Sequence, residues 1–358
     1  MPGAYGSSDC AGDRTEMPRV SRSLAPAGES PLAARVFSRL ADGSFHSGEA
    51  LARHLHVSRS AVWKAVGTLR ELGAELEAVR NRGYRLDAAT EPLAAAAIRE
   101  HLPRELRAHV AKLETVWSIA STNTALLERR GPKSGASEVL LAEYQSAGRG
   151  RRGRTWLAPP GGAICLSLSW MFREVPPDLG ALGLVIGVCA LRALTALNVR
   201  NLGLKWPNDL LVGERKLGGV LIDLRAESGG PAYVVIGIGL NVALGEVLLR
   251  KIAQAGLPAT DLANAGIAIG SRNRIAAALI GACLGGLAGF EREGLKSFIE
   301  EWRGADALRG RPIEIRSADG ATNRGLGRGI DVHGALMLET PGGVKRFISG
   351  DVSVRPLE

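Results

Sequence analysis

Cysteine is scarce in this chain of 358 residues. The four cysteines show no C-x-x-C pairing: Cys10, Cys165, Cys189 and Cys283. This spacing excludes the usual zinc sites and provides no framework of disulfides, and Cys165 and Cys189 lie inside apolar runs, where thiols are normally buried. The cysteines therefore indicate a reducing compartment, and we expect a cytoplasmic protein.

Long apolar runs are also missing. The longest stretch, LGALGLVIGVCALRAL, is broken by Arg192, whereas a membrane-spanning helix needs about 20 apolar residues. No secretory signal opens the chain, and residues 1–30 are rich in glycine, serine and proline without periodicity. We expect a disordered tail over residues 1–30 and no membrane partner.

Familiar catalytic signatures are absent from the sequence. The six histidines are dispersed, none has the serine or cysteine context of a triad, and there is no G-x-x-x-x-G-K-[ST] motif. No group of residues has metal-ligand spacing, so the sequence predicts no metal site built by the protein. The 45 Lys and Arg residues against 36 Asp and Glu give a net charge of +9, which favours anionic partners such as DNA or phosphorylated ligands.

Arginine and glycine are concentrated in GRGRRGRTW, residues 148–156. The glycines have G-x-G-x-x-G spacing, but the following APPGG forbids the helix that a dinucleotide fold requires. Kinase elements are missing too. The four arginines repel one another on a flexible backbone, so we expect this loop to become ordered when an anion binds to it. A solvated loop or an RNA-binding arginine-glycine segment is the alternative.

The stretch KWPND, residues 205–209, places a lysine at the end of an apolar run. The Lys205 ammonium could neutralise a carboxylate or a phosphate there, and Lys216 on the next predicted strand could face the same site. Pro207 is expected to stop the strand, with Asn208 and Asp209 closing a turn. A plain strand exit with an exposed lysine is the alternative interpretation.

The stretch STN, residues 121–123, begins a predicted helix. Ser121 is a standard N-cap, and this ordinary structural role explains it without a ligand. The hydroxyls of Ser121 and Thr122 and the amide of Asn123 could instead bind a small polar ring that has both donors and acceptors. Gln145, just before the arginine loop, could add one contact of the same kind.

Residues 31–90 have the pattern of a winged helix-turn-helix. Ser58 is a good N-cap for a second helix with one apolar stripe, and AELEAVRNRGYRLD follows as two short strands. The opposite face of that helix and the wing would contact DNA through Arg59, Ser60, Lys64 and Arg82. A small packing module with a solvated basic face is the alternative.

The remainder predicts an α+β architecture in two parts. Over residues 91–305 several strands follow one another without intervening helices, which indicates a mixed sheet. Residues 306–358 alternate at period two, with turns at Asp319-Gly320, His333-Gly334 and Gly342-Gly343. This pattern is typical of a small antiparallel barrel or SH3-like module.

Taken in order, STN, AEYQSAGRGRRGRTW, KWPNDLLVGERKLGGVLID and GIGLNV resemble the biotin–protein ligase family. The preceding GSFHSGEALARHLHVSRSAVWKAVGTLRELG and GYRL are similar to the winged-helix domain of its bifunctional members, which also repress the biotin operon. The resemblance runs from about residue 32 to GDVSVR. It implies a biotin/lipoate ligase-like central domain that forms biotinyl-5′-adenylate from biotin and ATP. Biotin then passes to a lysine of a carrier domain such as that of acetyl-CoA carboxylase.

The resemblance also implies a set of site residues. Lys205 and Arg151 are expected to be catalytic. The biotin pocket would consist of Ser121, Thr122, Asn123, Gln145, Arg149, Gly150, Arg151 and Lys205. The nucleotide would contact Arg149, Arg151, Arg152, Arg154, Trp156, Lys205 and Asn208. Mg²⁺ would accompany ATP, although no carboxylate pair identifies its ligands.

Operator DNA and a second copy of the chain, joined when the adenylate is bound, are the other partners that the resemblance implies. A regulator that senses a ligand without ligase activity is one alternative. A lipoate or octanoate ligase of related fold is another, which the arginine-glycine loop disfavours.

Overall fold

The structure is a computed structural model that describes residues 31–226, 231–254, 258–267, 271–317, 320–348 and 353–357. The predicted tail over residues 1–30 lies outside these ranges, as does Asp319 of one predicted turn.

The N-terminal part is a winged helix-turn-helix, which confirms the prediction. It consists of helices α1 (Leu32–Leu40), α2 (Gly48–Leu55) and α3 (Arg59–Glu71), followed by the antiparallel strands β1 (Leu76–Val79) and β2 (Gly83–Leu86). The predicted cap is present, since Ser58 Oγ accepts a hydrogen bond from the Ala61 amide at 3.2 Å. The residue that ends α2, His56, has a φ of 56°, a left-handed conformation that turns the chain sharply between the two helices.

A small apolar core holds the three helices together, with Val36, Phe37, Leu51 and Val62 among its buried members. The same cluster reaches the central part of the chain, because the Phe37 ring lies 5.4 Å from the ring of Trp117. Aromatic contacts at this distance stabilise an interface beyond the burial of area. The winged helix is therefore packed against the sheet that carries the functional site.

The central part is built on a mixed seven-stranded sheet, as predicted. After helix α4 (Ala95–His101), strand β3 (Val110–Ile119) runs parallel to β4 (Ser137–Gln145), and all other pairs are antiparallel. The remaining strands are β5 (Ala163–Phe172), β6 (Leu202–Lys205), β7 (Asp209–Val212), β8 (Arg215–Ala226) and β9 (Ala232–Asn241), in the spatial order β3-β4-β5-β9-β8-β7-β6. The expected turn ends one residue early, because Asp209 already belongs to β7, where it pairs with Lys205.

Helices cover both faces of this sheet. The short helix α5 (Thr122–Leu127) packs on one face, while α6 (Leu182–Ala196) and α8 (Arg272–Glu293) belong to the main core on the other; α7 (Glu246–Gln254) and α9 (Ile299–Gly304) are shorter. The helices over Leu179–Ala196 and Arg272–Ser297 are long and apolar enough to cross a membrane by length and composition, but most of each is buried inside the protein. Core packing therefore accounts for their apolar character.

The C-terminal part is a small antiparallel sheet of the SH3-like kind, again as predicted. Its strands are β10 (Pro312–Arg316), β11 (Thr322–Ile330), β12 (Leu336–Thr340), β13 (Gly343–Phe347) and β14 (Ser353–Pro356), in the order β13-β12-β11-β10-β14. The Trp206 indole donates a hydrogen bond to the Gly334 carbonyl at 3.0 Å. This bond joins the C-terminal sheet to KWPND, so the small module supports the functional face of the large one.

The buried carboxyl of Asp306, at the junction of these two parts, should make the free energy of unfolding depend on pH. Its Oδ2 is buried without a hydrogen-bond partner, and burial raises the pKa of Asp306 to about 6. A carboxyl with a higher pKa in the folded chain stabilises folding at low pH, and that contribution is lost as the pH rises through about 6. We expect Asp306→Asn to flatten the pH dependence of the free energy of unfolding between pH 4.5 and 7.5, by up to about 2 kcal/mol. Superimposable profiles for the variant and the parent would contradict this.

Candidate functional site

A cavity of about 540 Å³ opens beside the central sheet and contains every residue predicted to contact biotin or the nucleotide. These residues come from three separate stretches of the sequence, which the central sheet brings together. They are Ser121, Thr122, Asn123, Gln145, Arg149, Gly150, Arg151, Arg152, Arg154, Trp156, Lys205 and Asn208. Their convergence in one cavity supports a single ligand site.

Two glycines of β9 make room for the walls of this cavity. A Cβ on Gly237 would lie 2.3 Å from Asn123 Oδ1, and a Cβ on Gly239 would lie 2.5 Å from the Trp156 ring. Real Cβ atoms essentially never approach so closely. The motif GIGLNV is therefore needed because Asn123 and Trp156 both lie directly against the sheet.

Buried polar groups line one end of the cavity. Ser121 caps α5, and the Thr122 amide donates to Gln145 Oε1 at 2.8 Å. The Ser167 hydroxyl lies 2.7 Å from Thr122 Oγ1 and 2.5 Å from Asn123 Oδ1. Ser167 was not predicted, since it lies within the apolar strand β5 and only the sheet brings it to STN. This end offers both donors and acceptors to a small polar ring.

The arginine loop forms a tight hairpin over the cavity. The Gly150 amide donates to the Arg154 carbonyl at 2.7 Å, and the Trp156 amide donates to the Gly148 carbonyl at 2.9 Å. At its tip Arg152 has a φ of 59°, the left-handed conformation that non-glycine residues seldom adopt and that clusters at functional sites. As predicted, no helix follows the last of these glycines over residues 154–162, and the ordering of the loop by an anion stays a prediction.

Two lysines supply positive charge at the other end. Lys205 ends β6, and Lys216 lies near the start of β8, with Nζ 2.5 Å from Asp209 Oδ1 and 6.0 Å from the centroid of the Trp156 ring. Asn208 Nδ2 donates to the Val220 carbonyl at 2.6 Å, which holds the turn between them against β8. The hairpin of β7 and β8 thus brings Lys216 to the same cavity as Lys205, as the sequence predicted.

Cys165 forms part of the cavity wall and was expected only to be buried. Burial raises the pKa of its thiol to about 12. The group therefore stays a neutral thiol at physiological pH.

The residues predicted to contact DNA lie outside this cavity. Arg59, Ser60 and Lys64 are exposed on α3, beside Trp63, whose side chain is 68% exposed. The Arg82 guanidinium is exposed on the wing and lies 4.1 Å from the centroid of the Phe45 ring. The four residues therefore stay on an outer surface, separate from the ligand site.

No group of three or more His, Cys, Asp or Glu residues could hold a metal ion within the part of the chain that the structure describes. The described residues therefore provide no cluster of protein ligands for Mg²⁺. Any divalent ion at this site would have to be held mainly by the phosphates of a nucleotide.

Three family models match the chain in order. They are an HTH domain over residues 35–85, the biotin/lipoate A/B protein ligase family over 116–241, and the biotin protein ligase C-terminal domain over 309–355. These matches correspond to the winged helix, to the strands that build the cavity, and to the small C-terminal sheet.

Curated and solved proteins agree with the family models. The bifunctional ligase/repressor BirA of Salmonella typhimurium is 39% identical over 324 residues, covering 90% of this chain and 97% of that protein. The Escherichia coli protein of the same name is 38% identical, with the same coverage. The biotin protein ligase of Aquifex aeolicus, solved in complex with biotin and ATP, has a TM-score of 0.58 at 25% identity and covers 69% of this chain and 100% of that one. The chain therefore belongs to the biotin protein ligase family, in its bifunctional ligase/repressor branch.

Proposed function

We propose that this protein joins biotin to ATP, giving biotinyl-5′-adenylate and pyrophosphate, and then transfers the biotinyl group to a lysine of a biotin carrier domain. The observation that carries this proposal is the one cavity that contains the polar STN end, both lysines and the arginine loop. The related Aquifex aeolicus ligase was solved with biotin and ATP, the two substrates that such a cavity would receive.

The polar end is suited to the ureido ring of biotin. Thr122 and Asn123 are 3% and 4% exposed, so their side chains are already held by Gln145 and Ser167 rather than by water. A ring with an N–H on either side of a carbonyl can exchange hydrogen bonds with groups of both kinds. We assign this end to biotin, with Arg149, Gly150, Arg151 and Lys205 nearer its carboxylate.

The cationic end is suited to the adenylation step. A carboxylate oxygen of biotin attacks the α-phosphorus, a new P–O bond forms, and the bond to the β-phosphate breaks to release pyrophosphate. Both reactants are anionic, so Lys205 and Arg151 would lower the repulsion between them, and Arg149, Arg152, Arg154, Trp156 and Asn208 would hold the nucleotide.

In the second step the ε-amine of the acceptor lysine attacks the carbonyl carbon of the mixed anhydride. The amine loses a proton, the bond between the carbonyl carbon and the phosphate oxygen breaks, and AMP leaves. The hairpin over the cavity would keep water from the anhydride until an acceptor arrives. Mg²⁺ would arrive with ATP, bound to its phosphates.

A labelling assay tests this function directly. The protein is incubated with ATP, Mg²⁺ and an apo carrier domain of acetyl-CoA carboxylase, together with either biotin or lipoate, and the carrier is probed with streptavidin and by mass. We expect a mass increase corresponding to one biotinyl group that depends on ATP. Lipoylation in place of biotinylation would establish the related ligase, and no labelling at all would favour a sensor without ligase activity.

A variant of the arginine loop tests whether this loop retains biotinyl-adenylate in the cavity. Arg151 Nη1 lies 3.4 Å from Asn208 Oδ1, which joins the tip of the hairpin to KWPND. We expect Arg151→Gly to release biotinyl-adenylate about tenfold faster, because a charged hydrogen-bonding group is lost from its lid. The release of biotinyl-adenylate is measured through the biotinylation of lysines on a bystander protein. Arg173→Gly, at an exposed arginine outside the cavity, is the control; equal leakage from both variants would contradict the role of Arg151.

We also propose that the winged helix, over residues 31–90, binds operator DNA as a dimer of adenylate-bound chains. In this division residues 91–305 carry catalysis and residues 306–358 form the C-terminal domain. The support is the exposed basic face of α3 and the ligase/repressor relatives. A gel shift with DNA from upstream of the host's biotin synthesis genes should require biotin and ATP and should weaken in Lys64→Ala. DNA binding that is the same with and without biotin and ATP would contradict a repressor activity that depends on the adenylate. We place this activity in the cytoplasm, where carboxylase and DNA are both available.

A further inference from the structure

One carboxylate behind the cavity contacts two residues of the proposed biotin site at once. Asp223 lies on β8 with its side chain 15% exposed and is not part of the cavity lining, whereas its partners Asn123 and Arg149 both are. Its Oδ1 accepts a hydrogen bond from Arg149 Nη2 at 3.2 Å, and its Oδ2 accepts from Arg149 Nη1 at 3.2 Å and from Asn123 Nδ2 at 2.9 Å. The sheet thus links the STN end to the arginine loop through a single side chain.

Asp223 fixes the direction in which the Asn123 amide points. The amide nitrogen donates to Asp223 and, at 3.3 Å, to the Leu221 carbonyl. The amide oxygen is thereby turned toward Ser167 Oγ, 2.5 Å away. A carboxylate accepts hydrogen bonds and donates none, so the reverse orientation would set an oxygen against an oxygen.

Asp223 also fixes the first arginine of the loop. The two parallel bonds to the Arg149 guanidinium have the fork geometry that favours arginine over lysine, and Thr124 Oγ1 adds a third contact at 3.3 Å. The Arg149 side chain is 46% exposed, so without this pair its long side chain would be free to leave the cavity wall. One negative charge also offsets part of the repulsion among the loop arginines.

We infer that Asp223 is a positioning residue for biotin binding: it orients the Asn123 amide and holds Arg149 at the biotin end of the cavity. The inference rests on the proposed function, because it assumes that this end receives biotin. Asp223 itself does not line the cavity and transfers no proton. Its effect therefore lies in the affinity for biotin and in the retention of the adenylate.

The test compares Asp223→Asn with the parent protein in four measurements: the Kd for biotin, the KM for ATP, the dissociation rate of biotinyl-adenylate, and the single-turnover rate of transfer to the carrier. We expect the Kd and the dissociation rate to rise about tenfold, since hydrogen bonds to a charged group are lost. The transfer rate should stay within about twofold, because the variant removes uniform binding of biotin. The KM for ATP should rise less than the Kd for biotin, because Arg149 is the one proposed nucleotide contact that the variant loosens.

Glu114→Gln is the matched control. It removes a β3 carboxylate that also pairs with an arginine, Arg129 at 2.7 Å, and that lies outside the cavity; its side chain is 30% exposed, against 15% for Asp223. Asp223→Glu keeps the charge and should recover part of the affinity; it also keeps the test valid if the asparagine variant does not fold. Unchanged biotin affinity in Asp223→Asn, an equal loss in Glu114→Gln, or a loss confined to the transfer rate would each overturn the inference. Failure of the parent protein to label the carrier would instead count against the proposed function.

Discussion

Lys216→Ala is expected to slow the formation of biotinyl-adenylate by about two orders of magnitude, the loss typical when one preorganised electrostatic contact is removed from a site. Lys216 is held in place by Asp209 and lies over the Trp156 ring, so its charge is fixed before substrates bind. Two anionic reactants must meet beside it, and a partly buried ammonium lowers that repulsion far more than a solvated one. Pyrophosphate release, measured in single turnover without an acceptor, reports this step alone.

Two further variants give this prediction its controls. Lys112→Ala removes a lysine that is 55% exposed and pairs with Glu114, so it should leave adenylation unchanged. Lys205→Ala should also slow adenylation, since that residue lines the same cavity. Lys112→Ala should keep its thermal stability to within about 0.5 kcal/mol, as is usual on the surface. Lys216→Ala leaves Asp209, which is 18% exposed, without its partner, so it should also lose some stability. A drop in Tm with normal specific activity for Lys216→Ala would contradict a catalytic role.

The second large effect concerns stability. Arg272 is fully buried, and Glu143 in β4 is 7% exposed; they pair at 2.9 Å. Glu143 also accepts hydrogen bonds from the amides of Leu93 at 2.6 Å and Gly161 at 3.3 Å, while Arg272 donates to the Ala163 carbonyl at 2.6 Å. The pair therefore joins the linker after the winged helix to β4 and to the start of β5, the two strands on either side of the arginine loop.

Glu143→Gln should destabilise the fold by about 3–5 kcal/mol, because it leaves a buried guanidinium without its counter-charge. In a chain of this size that corresponds to a fall in Tm of roughly 4–7 °C. The control is Glu301→Gln, whose pair with Arg192 is 38–46% exposed and should cost less than about 1 kcal/mol. Melting by differential scanning calorimetry separates the two outcomes; equal shifts would contradict a special role for the buried pair.

The sequence allowed most of the cavity to be predicted because its residues stand in local motifs. Lys205 and Gln145 each end a strand, where a side chain leaves the sheet at a predictable point, and Arg151 lies in a conspicuous arginine-glycine run. The winged helix was predictable for a similar reason, since Ser58 and the apolar stripe after it are local signals.

The residues that escaped prediction depend on long-range pairing. Asp223 and Ser167 lie inside strands whose pattern indicates only burial, and they reach Asn123 across gaps of 100 and 44 residues. Helix α8 was not identified either. Its stretch LIGACLGGLAG is rich in small residues, so no clear polar face marks the periodicity of a helix that is buried along most of its length.

The neutral thiol of Cys165 has a chemical consequence for the product that this cavity would contain. A biotinyl-adenylate is an acylating agent, and a thiolate in the wall would take the biotinyl group as a thioester before any carrier domain arrived. Because burial raises the pKa of Cys165 to about 12, its thiol stays protonated at pH 7. Cys165 is thus unreactive toward the activated product, and we expect mild thiol-directed reagents to leave this thiol unmodified.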